Sequence, residues 1–427
     1  MKKFYVESFG CKFNKAETEL IKKILTQKYK EASEKEADFI IFNTCGVVEK
    51  TERKIFKKAK QLQKKGKKII FAGCLPLISP KICQEIGDGV LGPTNILDLP
   101  KVIESILKGK KAVVLAKNSI DKAKLGCFTI PRESCVAIVP ISEGCLSFCA
   151  FCATKFARGR LRSFDQEAIL ENIKKVLNLG AKEIQLTSQD LAIYGKDKGK
   201  WALPELLTKI SEIKGDFKVR LGMMNPWGAK KIFSKLLKIL ENEKFYKFLH
   251  LPLQSGSDRI LKLMNRNYKA KDFFELVSKF KKKFKNSLLA TDVIVGFPTE
   301  TEKDFQKTVF AIKKAKPEIL HIFRYSRRPQ TEASKLKDFP DRIKKERSRF
   351  LTKIFLEICQ KENRKYLRKK FKALITEKRG NSFLARLPSY KAVIVKEGNL
   401  GDFVEVEIVE AKPNYLIGKL IDYWKTD

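Results

Sequence analysis

Short apolar runs alternate with amphipathic stretches over the first part of the chain. The strand-like runs cover residues 3–8, 38–42 and 68–72, and residues 15–28 and 50–65 between them have the apolar spacing of helices. Strands that alternate with helices predict an α/β fold with a parallel sheet. Ligand sites in such sheets lie outside the carboxyl ends of the strands, so the residues that follow these runs are candidates for a site.

A cysteine follows each of the three predicted strands. Cys11 comes after the first strand, Cys45 after the second and Cys74 after the third. The parallel topology predicts that their thiols meet at one edge of the sheet. The alternative is three separate buried cysteines, because free cysteine is often simply buried.

Six further strand signals, separated by Lys-rich amphipathic stretches, follow between residues 132 and 330. The predicted strands cover residues 135–140, 183–187, 218–222, 248–253, 290–295 and 319–323. The predicted helices cover residues 166–178, 229–241, 257–284 and 302–315. Six βα units predict a complete or partial parallel barrel with its chemistry at the carboxyl ends of the strands.

The pattern changes after Lys372 to short strands with a period of two residues. These strands are predicted at residues 373–376, 382–387, 392–395, 403–409 and 415–421. Five short strands in succession predict a small antiparallel β-barrel of the OB kind, a shape often used to bind nucleic acid. The highly charged stretch 341–372 before them predicts a helix that runs into a linker or a basic face.

Composition narrows the class of protein and of partner. The chain has 427 residues, of which 43% are apolar, so a substantial core is expected and a disordered chain is excluded. Its net charge of +40 can partly reflect nucleotide bias or growth at high temperature, but Asp and Glu do not rise with Lys as ion-pair networks require. The excess charge predicts a polyanionic partner, with nucleic acid favoured over an anionic membrane surface.

Cysteine usage depends on the compartment. No run approaches the ~18 apolar residues of a membrane span, and Met1-Lys2-Lys3-Phe4 leads into a strand rather than an apolar signal core. We therefore expect a cytoplasmic protein with no membrane association. In a reducing compartment its ten cysteines are better candidates for metal, cluster or catalytic sites than for disulfides.

The sharpest motif is C-x3-C-x2-C, formed by Cys145, Cys149 and Cys152 directly after the strand predicted to end at Pro140. Three thiolates on a short loop can hold three irons of a [4Fe–4S] cluster and leave the fourth iron open. Structural zinc is the competing interpretation, but zinc normally has four ligands in paired C-x2-C sets. The motif, with Phe151 before its last cysteine, resembles the signature of radical S-adenosylmethionine (SAM) enzymes, whose cofactor binds the open iron.

The two cysteine sets and the terminal β-barrel, in this order, resemble the radical SAM methylthiotransferase family over essentially the whole chain. The strings that carry the resemblance are Gly10-Cys11-Lys12-Phe13-Asn14, Asn43-Thr44-Cys45-Gly46-Val47, Gly73-Cys74, Leu251-Pro252-Leu253-Gln254-Ser255-Gly256-Ser257-Asp258, Asp292-Val293-Ile294-Val295-Gly296-Phe297-Pro298-Thr299-Glu300 and Tyr325-Ser326-Arg327-Arg328-Pro329-Gln330-Thr331. One feature departs from the family pattern: Gln330 replaces its usual glycine.

The resemblance implies three domains. Residues 1–120 would form an N-terminal methylthiotransferase domain, a parallel α/β domain in which Cys11, Cys45 and Cys74 hold an auxiliary [4Fe–4S] cluster. Residues 131–362 would form the radical SAM core, a partial (β/α) barrel with a second [4Fe–4S] cluster on the C-x3-C-x2-C cysteines. Residues 363–427 would form an OB-like TRAM domain, a small antiparallel β-barrel that binds RNA.

The string Thr154-Lys155-Phe156-Ala157-Arg158-Gly159 is similar to the archaeal and eukaryotic threonylcarbamoyladenosine branch of the family, and so is Gly222-Met223-Met224-Asn225-Pro226. This implies a transferase that converts threonylcarbamoyladenosine 3′ of the tRNA anticodon to its 2-methylthio derivative, with SAM as cofactor. Its implied partners are tRNA, an electron donor and a sulfur donor. The alternatives are isopentenyladenosine in tRNA as the substrate, or a non-enzymatic iron–sulfur RNA-binding protein.

Further candidates flank the cysteine loop or follow predicted barrel strands, and no catalytic residue beyond the six cysteine ligands is predicted. Phe151, Gln189, Gln254 and Gly296 are predicted to contact SAM or an adenine, with generic loop polarity, or a core position for Phe151, as the alternative.

Lys155 and Arg158 are predicted to bind a carboxylate of the cofactor or of the threonylcarbamoyl group, with phosphate contact as the alternative. His250 and His321 are expected to be core residues. The cysteines expected to be structural are Cys83, Cys127, Cys135 and Cys359.

Overall fold

The structure is a computed structural model that describes residues 1–46, 49–116, 130–131 and 134–423. Its contacts define two compact units that do not follow chain order. The first unit joins residues 1–129, 138–172 and 326–334, and the second joins residues 130–137, 173–325 and 335–427. Cys127 lies outside the described residues.

The first unit is built on a six-stranded parallel sheet of strand order β2-β1-β3-β4-β5-β6. Its strands are β1 Lys3–Phe9, β2 Lys30–Glu31, β3 Phe39–Thr44, β4 Lys68–Gly73, β5 Gly89–Leu91 and β6 Ala112–Val114. Its helices are Lys12–Leu25, Glu49–Gln63, Leu75–Ile78, Pro80–Ile86 and Leu99–Leu107. The predicted parallel α/β sheet is confirmed, and the pattern missed only its short strands and the helices after β4.

Strand register aligns the three carboxyl ends that precede the first cysteine set. Phe9 pairs with Thr44, and Thr44 pairs with Gly73. The alignment continues one residue further, because the Cys45 amide donates to the Phe9 carbonyl over 2.7 Å and the Cys74 amide to the Thr44 carbonyl over 2.8 Å.

The cysteine loop and the segments around it also belong to the first unit. Two short strands, β8 Ser142–Glu143 and β9 Arg162–Ser163, pair in antiparallel fashion around the loop and the helix Thr154–Arg158. Strand β7, Val136–Pro140, precedes them as predicted.

The second unit contains parallel strands of the predicted barrel and their helices. Its strands are β10 Glu183–Thr187, β11 Lys218–Leu221, β12 Phe248–His250, β13 Leu288–Val295 and β14 Ile319–Arg324. Its helices are Gln166–Asn178, which the first unit shares, Leu203–Glu212, Pro226–Ile239, Asp258–Leu263, Ala270–Lys283, Glu302–Ala315 and Asp341–Arg364. The prediction of one helix over 257–284 is wrong, since Asn265 is in a left-handed conformation (φ 55°) that ends the first of two helices.

A closed barrel of order β15-β16-β17-β19-β18 ends the second unit, as predicted. Its strand pairs are antiparallel except for β17 and β19, which are parallel. Its strands are β15 Lys370–Arg379, β16 Ser382–Arg386, β17 Ala392–Val395, β18 Phe403–Ala411 and β19 Leu416–Tyr423. Alternate residues of these strands fill an apolar core that includes Ile375, Val393 and Val404, each fully buried. Among the described residues, none of the helices is both long enough and apolar enough to cross a membrane.

Tyr390, on the loop between β16 and β17, ties this terminal barrel to the parallel strands within the second unit. Its hydroxyl accepts a 3.1 Å hydrogen bond from the Gln185 amide, and its ring centroid lies 4.9 Å from that of Tyr246 and 5.1 Å from that of Phe248. The Tyr246 hydroxyl in turn donates to the Glu183 carboxylate over 3.1 Å. The contact is buried, since Tyr390 is only 7% exposed.

Candidate functional site

The cysteines of the first set lie together at the carboxyl edge of the parallel sheet. Cys11 is exposed, Cys45 is partly buried and Cys74 is buried. The thiols of Cys45 and Cys11 are close enough to act electrostatically on that of Cys74. The sheet therefore presents three sulfur atoms at one edge, graded from buried to open.

Two buried asparagine side chains, Asn14 and Asn43, hold Cys11 in position. The Cys11 thiol donates to Asn14 Oδ1 over 3.3 Å, and Asn14 Nδ2 donates to Asn43 Oδ1 over 3.3 Å. Asn43 Nδ2 donates back to the Asn14 carbonyl over 2.7 Å. Both asparagines are fully buried, so this pairing joins the first turn of a helix to the end of β3.

The second cysteine set lies on a loop whose entry requires glycine. Gly144 has φ 86°, and a Cβ added there would lie 2.1 Å from the Arg160 carbonyl oxygen. The close approach lets the Cys145 amide donate to the Gly159 carbonyl over 3.3 Å, while the Ser147 amide donates to Cys145 Sγ over 3.3 Å. Hydrogen bonds from backbone amides to a carbonyl and to the Cys145 sulfur thus hold the loop in shape.

The two cysteine sets are joined by packing within the first unit. Cys74 and Ile78 form one apolar cluster with Ala153 and Ala157, which follow the last cysteine of the loop. The helix that begins after Cys74 therefore rests on the helix that begins after Cys152.

Arg158 makes the strongest link between the sets. Its Nε donates to Cys74 Sγ over 3.1 Å, and its two terminal nitrogens donate to both oxygens of Glu17 over 2.6 and 2.8 Å. One of these nitrogens also donates to the Glu143 carboxylate over 2.7 Å. The guanidinium carbon lies 4.6 Å from the centroid of the Phe13 ring. Arg158 is 1% exposed, and Glu17 and Glu143 are fully buried.

These partners differ from those predicted for Arg158. A side chain so buried and so fully engaged with protein groups is a positioning residue for Cys74, and contact with a substrate carboxylate would require breaking the Glu17 pair. Sequence reasoning missed Glu17 and Glu143. The one available signal was an acidic residue on the apolar side of an amphipathic helix, at Glu17.

Burial sets the protonation of this region. It raises the pKa of the Cys74 thiol to about 12, and the positive charge of Arg158 acts against the rise. Burial also raises the pKa of Cys152. Both thiols are thus neutral near pH 7 unless a metal displaces the proton, which suits sulfur ligands of an iron cluster.

A cavity of about 470 Å³ opens beside the second cysteine set, inside the first unit. Cys145, Phe148 and Lys155 are among its lining residues. Lys155 Nζ lies 5.6 Å from the centroid of the Phe148 ring and 5.1 Å from that of Phe156. The cavity thus combines an ammonium group with aromatic walls next to a candidate cluster ligand. Phe151 belongs to the same unit and is partly buried.

The other predicted site residues follow strands of the second unit. Gln189 comes after β10 and is partly buried. Gln254 has φ 65°, and its buried Oε1 has no hydrogen-bond partner among the described residues. Gly296 has φ 68°, and a Cβ there would lie 2.3 Å from Lys344. Three predicted structural cysteines, Cys83, Cys135 and Cys359, are buried.

Asp190, directly after Gln189, is a fully buried carboxyl group that sequence reasoning did not single out. The amides of Ala192 and Asn225 donate to its Oδ1 over 3.1 and 3.0 Å, and its Oδ2 has no hydrogen-bond partner among the described residues. Burial raises its pKa to about 7 despite these two donors.

The raised pKa predicts how stability changes with pH. The folded chain binds a proton at Asp190 more tightly than the unfolded chain, so stability falls as pH rises from about 4 to 7 and then levels off. Asp190→Asn keeps the shape without the charge. We expect a higher urea midpoint than wild type at pH 8 and a smaller difference at pH 5.

The matched control for this test is Asp216→Asn, which changes an exposed carboxylate of the same unit. This control is expected to leave the urea midpoint unchanged at both pH 8 and pH 5. A lower midpoint for Asp190→Asn at pH 8 would contradict the prediction.

Comparisons with known proteins match this organisation. The radical SAM superfamily matches residues 139–312, the TRAM domain matches residues 364–421, and a family described as uncharacterized protein family UPF0004 matches residues 3–91. The radical SAM methyltransferase TsrM from Kitasatospora setae has a TM-score of 0.56 at 10% identity, covering 78% of this chain and 75% of its own. That likeness concerns the fold alone.

Two relatives cover almost the whole chain. A probable threonylcarbamoyladenosine tRNA methylthiotransferase from Archaeoglobus fulgidus is 46% identical over 97% of this chain and 98% of its own length. A tRNA-2-methylthio-N(6)-dimethylallyladenosine synthase from a Hydrogenobaculum species is 34% identical over 96% and 97%.

The fold and the cysteine loop define a radical SAM protein that ends in a TRAM domain. Sequence identity over almost the full length gives the narrower assignment. The chain belongs to the threonylcarbamoyladenosine tRNA methylthiotransferase family.

Proposed function

We propose that this protein is a tRNA methylthiotransferase that converts threonylcarbamoyladenosine, 3′ of the anticodon, to its 2-methylthio derivative. The observation that carries the proposal is that two sets of three cysteines, one with the radical SAM spacing, are linked in one compact unit through Arg158 and Cys74. The higher identity to the relative named for threonylcarbamoyladenosine supports that substrate over dimethylallyladenosine.

The six cysteines would hold the two cofactor clusters. Cys145, Cys149 and Cys152 would bind one [4Fe–4S] cluster, and Cys11, Cys45 and Cys74 the other. When bound, the first cluster and SAM supply the radical that activates the unreactive C2–H of adenine, and the second carries the sulfur to be inserted.

The chain's own side chains orient and shield these groups. Arg158, held by two buried glutamates, keeps a positive charge and an N–H group against Cys74 Sγ. This favours the thiolate form that a metal needs. Lys155 offers its ammonium group in the cavity beside Cys145, where an anionic carboxylate of cofactor or substrate would be neutralised.

The remaining predicted contacts belong to the second unit. Gln254 presents a buried amide oxygen that a ligand N–H group would satisfy. Gly296 lets the Lys344 side chain pack directly against its loop, which fixes the loop's position. Gln254, Gly296 and Gln189 of the same unit are proposed to contact SAM or the target adenine, and so is Phe151 of the first unit.

The proposal divides the chain as the family resemblance does, into residues 1–120, 131–362 and 363–427. The basic run that leads into the first strand of the terminal barrel supports an RNA-binding role for the last part, because its Lys and Arg side chains are exposed. These residues are Arg364, Lys365, Arg368, Lys369, Lys370 and Lys372. Exposed cations are what phosphate contact requires.

The reaction also needs an electron donor and a source of sulfur, both of which we propose as transient partners in the cytoplasm, where the tRNA substrate is.

Nucleoside mass spectrometry tests the substrate. The anaerobically reconstituted protein, given SAM and a reductant, is expected to convert threonylcarbamoyladenosine in tRNA to its methylthio derivative. Transfer RNA that carries isopentenyladenosine instead is expected to remain unchanged.

The outcomes separate the alternatives. Methylthiolation of isopentenyladenosine alone would refute the proposed substrate. Binding of tRNA without any release of 5′-deoxyadenosine would refute the enzyme and favour an RNA-binding iron–sulfur protein.

A further inference from the structure

The only two histidines of the chain meet at one carboxylate. His250 Nε2 lies 3.0 and 3.1 Å from the two oxygens of Asp292, and His321 Nδ1 lies 2.7 Å from Asp292 Oδ1. The nearest nitrogen and oxygen atoms of the three side chains all lie within 4.8 Å of one another. We call these three residues the His-Asp-His group.

Strand pairing fixes the group in position. His250 ends β12 and pairs with Ala290 of β13, and Asp292, two residues further along the same face of β13, pairs with His321 of β14. The three side chains thus project from adjacent parallel strands of one sheet. A ligand set on rigid strands needs little reorganisation when it binds an ion.

One side of the group is closed and the other is open. His250 and Asp292 have side chains that are 13% and 14% exposed, whereas the His321 side chain is 49% exposed. The rings of Phe248 and Phe323 lie 6.4 and 6.3 Å from those of His250 and His321, between centroids. An ion held there would keep coordination positions on the open side for water or an oxygen ligand.

The donor chemistry selects the kind of ion. Two imidazole nitrogens and one carboxylate oxygen suit first-row divalent metals such as Zn²⁺ or Fe²⁺, whereas Mg²⁺ and Ca²⁺ favour oxygen ligands alone. Three protein ligands with open positions also match the arrangement of catalytic rather than structural metal sites.

We propose that His250, Asp292 and His321 bind a divalent transition-metal ion, separate from the iron held by the cysteines. The expectation that both histidines are core residues is wrong for His321, whose side chain is 49% exposed. The proposal does not rest on the proposed function, because it concerns side chains of the second unit and a different metal.

Zinc binding tests the site. The holoprotein with both clusters loaded is dialysed anaerobically against one equivalent of ZnCl₂, and zinc and iron are counted by mass spectrometry. Wild type is expected to retain about one zinc per chain, bound by nitrogen and oxygen ligands in its zinc-edge X-ray absorption spectrum. Asp292→Asn and His321→Phe are expected to bind zinc at least about tenfold more weakly at equal iron content.

Asp292→Asn distinguishes a metal site from a hydrogen-bonded trio, since an amide oxygen still accepts hydrogen bonds from both imidazoles but is a weaker ligand. Asp272→Asn, a carboxylate of the same unit that pairs with Lys230, is the control and should retain zinc. Absence of zinc in wild type, equal zinc in His321→Phe, or sulfur ligands in the spectrum would overturn the proposal. None of these outcomes bears on tRNA methylthiolation.

Discussion

Replacement of Cys149 by alanine is expected to abolish SAM cleavage and to remove about half of the iron, which we expect at roughly eight atoms per chain when two four-iron clusters are loaded. The triple variant Cys11→Ala, Cys45→Ala, Cys74→Ala is expected to lose a similar share of iron. It should keep SAM cleavage and lose methylthiolation, because only the auxiliary site is removed. Iron analysis and chromatography of 5′-deoxyadenosine measure both results.

Cys359→Ala is the matched control, because this buried cysteine of the second unit belongs to neither set. It should retain both the iron and SAM cleavage. Full iron content in Cys149→Ala, or loss of all iron in the triple variant, would contradict the assignment of two independent sites.

Arg158→Met is expected to destabilise the first unit by about 3–5 kcal/mol, since it leaves two buried carboxylates without their cation. Loss of the Arg158 N–H group that donates to Cys74 Sγ should also lower iron retention at the auxiliary site. Urea unfolding at pH 7, with iron counted before the titration, measures the two effects.

The same substitution at Arg53 provides the control. Arg53 pairs with Glu49 on the surface of the first unit, and its side chain is 78% exposed. Loss of this ion pair should lower the free energy of unfolding by less than about 1 kcal/mol. Equal destabilisation by Arg53→Met and Arg158→Met would show that the buried network does not hold the unit together.

Strong periodicity made most of the fold predictable. The strands around Ile40 and Ile70 are apolar on both faces, as in a buried parallel sheet, and those of the terminal barrel alternate with a period of two. The break at Asn265 was not predictable, because the residues on both sides continue a helical pattern and only the backbone conformation ends the helix.

The site was predictable where ligands follow a spacing and unpredictable where partners are distant in sequence. The cysteine sets stand out through their motif or their position after strands. Glu17 and Arg158, by contrast, are 141 residues apart, so the position of Glu17 on the apolar side of its helix does not reveal its partner. The convergence of His250 and His321 on Asp292 likewise depends on the order of three strands.

The packing of Tyr390 against the parallel strands changes what a truncation experiment would measure. The terminal barrel packs this ring against Tyr246 and Phe248 and bonds it to Gln185, so the barrel covers these strands in addition to its proposed role in RNA binding. Cutting the chain after residue 362 would expose the buried Glu183 and the partly buried Arg220 to water and would remove packing from the strands that carry them. Inactivity of such a fragment would therefore report a damaged core, and point changes in the exposed basic run are the cleaner way to separate RNA affinity from chemistry.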